Sequence, residues 1–253
     1  MNGEPKLLPE EAGNVVAFIG YGDPNARLWF IGINEALTNM TKEDAEYNLK
    51  SRSRFLPIMD LKDAHTTLKE RGKLMDIAQQ QSFTQTWWWM ARSALAFYEG
   101  NSWVDTEKAR KYIQNELGRF NCKRKTFLTE LFPIPSASVG DTTWDSFVRQ
   151  QCPHFDTKLS DRSAELTKLI AAAKDRDTLL VCYGSGQSKR SQFANLLNVE
   201  WQPTVIADAY VSGRCLLLPF FGQGRLSLST FGQIVESGLF STQSFGRTLR
   251  TQV

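Results

Sequence analysis

The chain has 253 residues, is 42% hydrophobic and carries 30 basic against 27 acidic side chains, for a net charge of +3. That length suits one domain or two small ones, with apolar residues enough for a sizeable core, and a charge so near zero permits nucleic-acid binding without arguing for it. No run is apolar and long enough to span a bilayer and the opening MNGEPKLLPEE lacks signal-peptide character, so the expectation is a cytoplasmic protein with no membrane partner.

Residues 1–25 read as a lead-in that ends in the turn Gly22-Asp23-Pro24-Asn25. The first strand is Leu28-Trp29-Phe30-Ile31, and it runs into the polar turn Gly32-Ile33-Asn34-Glu35. A short apolar run that stops at glycine and a polar cluster delivers side chains to the carboxyl edge of an open α/β sheet, where such sheets bind ligands. Asn34 and Glu35 are therefore the first candidates for chemistry. The same residues also fit a plain strand-to-helix turn, with Asn34 as a cap and Glu35 as a first-turn carboxylate favoured by the helix dipole.

Thr41 begins a polar helical stretch, and residues 51–82 give no clear assignment. From Phe83 to Phe97 the spacing predicts a helix with Trp87, Met90, Ala91 and Ala94 on one face. Trp87, Trp88 and Trp89 are consecutive, and successive helical residues turn by about 100°. Either one of the three meets a second element or a cleft, or all three are core. Asp105 caps a helix bearing Ala109, Tyr112, Ile113 and Leu117, closed by Gly118. A second strand, Thr126 to Thr129, meets polar and kinked sequence from Glu130 to Pro135. Leu166, Leu169, Ile170 and Ala173 make one stripe of another helix. The third strand, Thr178 to Tyr183, ends at Gly184-Ser185-Gly186, and a helix with Phe193, Leu196 and Leu197 follows. Ser185, Ser188 and Lys189 at its start suit a phosphate, or simply cap it. Thr204-Val205-Ile206 reads as a short strand, and Arg214 to Leu218 as a stronger one. That strand feeds a loop from Phe221 to Ser227 and a last helix with Phe231, Ile234 and Val235. Residues 239–253 form a polar, basic tail. Apolar strands alternating with helices argue for a single α/β domain over 1–253, with a parallel sheet between helix layers.

The four cysteines, Cys122, Cys152, Cys182 and Cys215, contain no C-x-x-C pair, which opposes a zinc ribbon and a disulfide framework. Cys152 and His154 offer two metal ligands, but nothing completes a set, so no metal is expected.

Taken in order, the strand ends resemble the uracil-DNA glycosylase superfamily over roughly residues 27–235. Gly32-Ile33-Asn34-Glu35 is similar to the water-activating motif of the mismatch and single-strand-selective branches. Asn34 stands at the water-positioning Asn, and Glu35 replaces a Pro. Thr129-Glu130 stands where some branches have Thr-Asn, the Asn reading the base. The loop from Gly222 to Ser227 keeps only the closing Leu-Ser of the segment that opens the duplex, and Gly222 takes the place of a His or Asn. The resemblance implies a three-layer α/β/α fold with a four-stranded parallel sheet. It also implies a monomeric, monofunctional DNA glycosylase that needs no cofactor. The cysteine spacing does not match the iron–sulfur branches, so no cluster is implied.

On that reading each residue takes a role. Asn34 holds a water under the sugar and Glu35 accepts its proton. Glu130 reads the base: a carboxylate only accepts hydrogen bonds, and cytosine offers an exocyclic N4 donor where uracil has an oxygen. The expected substrate is thus a modified cytosine, such as glucosylated hydroxymethylcytosine in phage DNA, with an antiviral role. Glu130 instead pairing with Arg124 or Lys125 at the surface is the plainer alternative. Phe55 and Phe83 are the candidates to stack on the base. Gln223, Arg225 and Leu226 meet the DNA, Leu226 as wedge and Arg225 on phosphate, though Leu226 also fits ordinary loop packing. A DNA- or nucleotide-binding relative with weak catalysis, an orthodox uracil enzyme and an unrelated flavodoxin-like site are the competing readings.

Overall fold

The computed structural model describes residues 7–33, 42–70, 72–80, 83–135, 143–222 and 224–241. Helix α1 (Pro9–Ala17) leads into β1 (Gly20–Gly22) and β2 (Leu28–Gly32), followed by α2 (Lys42–Arg52). Then come β3 (Ile58–Met59), α3 (Leu61–His65) and the hairpin β4 (Lys69–Glu70) with β5 (Lys73–Leu74). Helix α4 (Gln85–Glu99) passes through a 3-10 turn, Gly100–Val104, into α5 (Thr106–Asn115) and β6 (Phe127–Glu130). Helices α6 (Thr143–Gln151) and α7 (Phe155–Asp175), β7 (Leu179–Tyr183) and α8 (Gln187–Leu197) follow. Last are β8 (Gln202–Pro203), β9 (Tyr210–Ser212), β10 (Cys215–Leu218) and α9 (Leu228–Glu236).

Local chemistry sets several boundaries. The Thr84 hydroxyl accepts from Trp87 N–H at the start of α4, and Asp105 accepts from Lys108 N–H at 3.0 Å at the start of α5. Ser227 does the same for α9, accepting from Thr230 N–H at 3.0 Å. Asp105 is the cap read from the sequence; α5 ends at Asn115 with Glu116 as its C-cap, and Gly118, at φ 64°, turns the chain two residues later in a conformation that suits glycine.

The sheet departs from the expected four parallel strands. Among the described residues it has eight strands in the order β3-β1-β6-β2-β7-β10-β9-β8 and is mixed. Its four middle members, β6, β2, β7 and β10, run parallel and are the four main strands read from the sequence. On one side β1 is antiparallel to β6 and parallel to β3; on the other β9 is antiparallel to β10 and β8 to β9. The added edge strands are two or three residues long, too short for a repeat of two to emerge. The strand expected at Thr204–Ile206 is a turn: Thr204 Oγ1 accepts from Ile206 N–H at 3.1 Å, and Val205 is 99% exposed. Nor is the lead-in structureless. In α1 a proline opens the first turn, Glu10 and Glu11 follow, and Ala12, Val15 and Val16 are buried. The core also reaches into the expected tail, where Leu239 and Phe240 are buried.

Every residue of β2 and β7 is buried, because helices cover both faces of the sheet. Leu28, Phe30, Leu128, Val181 and Leu216 face a core closed by α3, α4, α5 and α9. Their neighbours Trp29, Ile31, Phe127, Cys182 and Leu217 face a second core closed by α7 and α8. Among the described residues no helix is long and apolar enough to cross a membrane.

Candidate functional site

Register brings the ends of the parallel strands level. Gly32 pairs with Glu130, Ile31 with Cys182 one residue before Tyr183, and Tyr183 with Leu218. The last residues of β2, β6 and β7 therefore stand side by side at the carboxyl edge. A Cβ on Gly32 would lie 2.0 Å from Glu130 Oε2 and 2.3 Å from Tyr183 Oη. The missing side chain is what lets a carboxylate and a phenol close over the end of β2.

The Tyr183 hydroxyl donates to Glu130 Oε1 at 2.9 Å. Its ring is held in turn by Phe221, stacked at 4.9 Å between centroids and 8° between planes. Arg162 on α7 is 3% exposed and serves the same strand end from behind. Its Nε donates to Phe18 O at 2.6 Å, Nη1 to Leu131 O at 3.0 Å and Nη2 to Glu130 O at 2.6 Å. Burial lowers its pKa to about 10, and the negative charge of Glu130 opposes that fall. Arg162 thus fixes the main chain of Glu130 by contact and acts on its carboxylate through space. Arg124 and Lys125 do not pair with Glu130. Arg124 Nε donates to Glu116 Oε2 at 2.9 Å, and Lys125 donates to Asp23 Oδ2 at 2.7 Å.

Lys189 lies at the same edge. Its Cδ is 3.1 Å from where a Cβ of Gly184 would be, and its ammonium sits 5.0 Å from the centre of the Phe220 ring. Burial lowers its pKa. Ser185 is half-buried and Ser188 exposed, and the N-cap residue of α8 is Gly186, with no side-chain cap, so the two serines do not serve as its caps.

Other expected residues lie elsewhere. Phe55 is buried against Phe18 at 5.7 Å with Arg52 over its ring, so stacking on a base would require it to leave the core. Phe83 is half-buried, edge-on to Trp88 at 6.1 Å. Leu226 is 4% exposed, and a wedge role would require it too to leave the core; the exposed leucine nearby is Leu228. Arg225 is exposed. Asn34, Glu35 and Gln223 fall outside the described residues. The described chain reaches Ile33, which is buried. Neither histidine stands at this edge: His65 packs against Tyr21 and Trp87, and His154 precedes α7 at the surface. Among the described residues no group of three or more His, Cys, Asp and Glu side chains could hold a metal ion.

Tyr183 and Arg162 escaped the sequence reading as members of the site. Tyr183 left a signal, a phenol on the last residue of an apolar strand before glycine. Arg162 left none, since nothing local separates it from the polar residues of α7.

No family model matches the chain, and neither does a curated protein or a solved structure.

Proposed function

We propose that the chain is a DNA glycosylase that takes a base bearing an exocyclic amine, a modified cytosine above all, out of the DNA stack and hydrolyses its N-glycosidic bond. The observation that carries this reading is the Glu130 carboxylate at the parallel-strand edge, beside Gly32 and oriented by Tyr183. A carboxylate so fixed accepts from cytosine N4 and offers no donor to the O4 of uracil. Hydrolysis of the bond builds positive charge on the sugar, as in glycoside hydrolysis, and needs a water on the face opposite the departing base. Asn34, just past the end of β2, holds that water, and Glu35 accepts its proton. A positioned base of this kind contributes roughly 10²–10⁴ in rate. Lys189, Ser185 and Ser188, with Gln223 and Arg225, hold the DNA backbone. The working form is a cytoplasmic monomer without a cofactor.

One observation favours a second reading, a relative that binds a nucleotide without cleaving it. The loop position that carries a base-stabilising His in the resembled family is Gly222, and both histidines lie elsewhere.

The test is an abasic-site assay on three duplexes, carrying uracil, cytosine or glucosylated hydroxymethylcytosine, with Asn34→Ala and Glu130→Gln beside the parent. Cleavage of the glucosylated duplex alone, abolished in Asn34→Ala, is the expected result. Cleavage of uracil would sink the role given to Glu130. No abasic product from any duplex would favour the binding relative.

A further inference from the structure

Arg92 on α4 is only 8% exposed, yet its direct partners are neutral. The guanidinium donates to the carbonyl of Trp103 and to Thr106 Oγ1, the latter at 3.1 Å. Asp105, occupied in capping α5, makes no ion pair with it. A guanidinium has five donors, and a buried cation that meets only neutral acceptors remains costly until an anion joins it. Burial lowers the pKa of Arg92, and the charge of Asp105 opposes this from beyond ion-pair distance.

The same arginine lines a cavity of about 280 Å³ between α4 and the loop leaving β10, walled by Trp88 and Trp89 with Leu228 on its lining. Gln85 on α4 accepts from Gly224 N–H at 3.0 Å, which ties that loop over the cavity. Trp89 is anchored on Phe231 at 5.2 Å. Trp88 is half-buried, and Leu228 is 56% exposed. The volume lies just under the roughly 300–1,000 Å³ common for sites that enclose a whole drug-sized ligand, so it suits one planar ring system.

We infer that this groove is a second nucleotide subsite, which takes one unpaired nucleotide of a DNA single strand with its base on the Trp88 indole and its phosphate toward Arg92. Arg225, exposed on the same loop between two lining residues, meets the next phosphate. The inference rests on the reading that the chain acts on DNA, and it adds where the flanking strand runs. Every base has a π-face, so the subsite tolerates any sequence. Contacts to phosphate make binding fall with salt.

The experiment titrates the full chain with a single-stranded oligothymidine at two salt concentrations, following tryptophan fluorescence. Saturable quenching is expected. Trp88→Ala weakens binding by about 5- to 150-fold, the range for loss of one base stack. Leu228→Glu, a change at an exposed position, weakens it by repulsion without disturbing the core. Arg92→Lys keeps the charge but loses the planar fork and binds less tightly. No saturable quenching in the parent, or unchanged binding in both Trp88→Ala and Leu228→Glu, overturns the inference. The two proposals fail separately. Oligothymidine binding that falls in these variants supports the groove even if no duplex yields an abasic product. An abasic product from a chain that does not bind oligothymidine leaves the hydrolase standing and removes the groove.

Discussion

The two ends of strand β6 each carry a glutamate–arginine neighbourhood, and they solve opposite problems. At the amino end Arg124 bonds both Glu116 and Glu99, Lys125 bonds Asp23, and the hydroxyls of Tyr98 and Tyr112 close on the carbonyls of Lys125 and Arg124. Charges there neutralise one another by contact, and the glutamates hold the arginine pKa well above its ordinary value. At the carboxyl end Arg162 turns its donors to three main-chain carbonyls, and the Tyr183 hydroxyl is among the groups that hold the Glu130 carboxylate. A cavity of about 400 Å³ opens at the amino end, lined by Glu99, Glu116, Lys123 and Arg124. A carboxylate already saturated by arginine makes a surface clamp, whereas one oriented by a phenol beside a bare glycine has the form of a recognition group.

The largest expected effect separates the two arginines. Arg162→Ala strands one buried and two part-buried carbonyls and costs roughly 3 kcal/mol. Arg124→Ala removes two partly exposed ion pairs, to Glu99 and Glu116, and costs about 1 kcal/mol. Urea unfolding of both variants measures the difference, and equal losses would break the comparison. Next comes Gly32→Ala. Its new methyl collides with Glu130 and Tyr183, so one of them must swing away, at a cost of about 1–3 kcal/mol. The same variant loses abasic-site formation. Full stability with full activity would mean that the carboxyl end tolerates rearrangement and that the close approach is incidental.

Much of this architecture is legible in the sequence, for a physical reason. The strands β2, β7 and β10 are continuous apolar runs because both faces are covered, and the edge is marked by Gly32 at the end of β2, Glu130 at the end of β6 and Gly184 after β7. Asp105 announces its helix, and Gly118 the turn beyond it, by chemistry that few other positions need. The edge strands are illegible because two or three residues hold no period. Arg162 is illegible because its importance comes from carbonyls of Phe18, Glu130 and Leu131, more than thirty residues away along the chain at the nearest. The tryptophan run is legible in part. Consecutive indoles had to diverge, and they do: Trp87 meets His65, Trp89 meets Phe231 and Trp88 lines the groove.

A smaller effect isolates the phenol. Tyr183→Phe keeps the stack on Phe221 and removes one hydrogen bond, which costs about 1 kcal/mol. Glycosylase activity should fall by more than stability does, because the carboxylate loses its fixed orientation. A proportionate loss of both would reduce Tyr183 to a packing residue.

The smallest effect belongs to the amino end and appears only in alkali. Burial pushes the Tyr98 phenol up from its ordinary value to about 12, and burial with the nearby Glu116 charge pushes the Cys122 thiol to about 11. Both folded values lie above the unfolded ones, so the folded chain holds protons that the unfolded chain releases. Their contribution is complete below about pH 9, erodes first through Cys122 and is gone once pH passes the Tyr98 value. Tm should therefore decline between about pH 9 and 12. Tyr98→Phe loses its hydrogen bond to Lys125 O, worth about 1 kcal/mol, and so lowers Tm at pH 7 by about 2–4 °C in a chain of this size. Phenylalanine has no proton to release, so the gap between parent and variant should narrow as pH climbs toward 12. A constant gap across that range would mean that Tyr98 ionises alike in both states, and that the amino end of β6 is less closed to water than its paired charges imply.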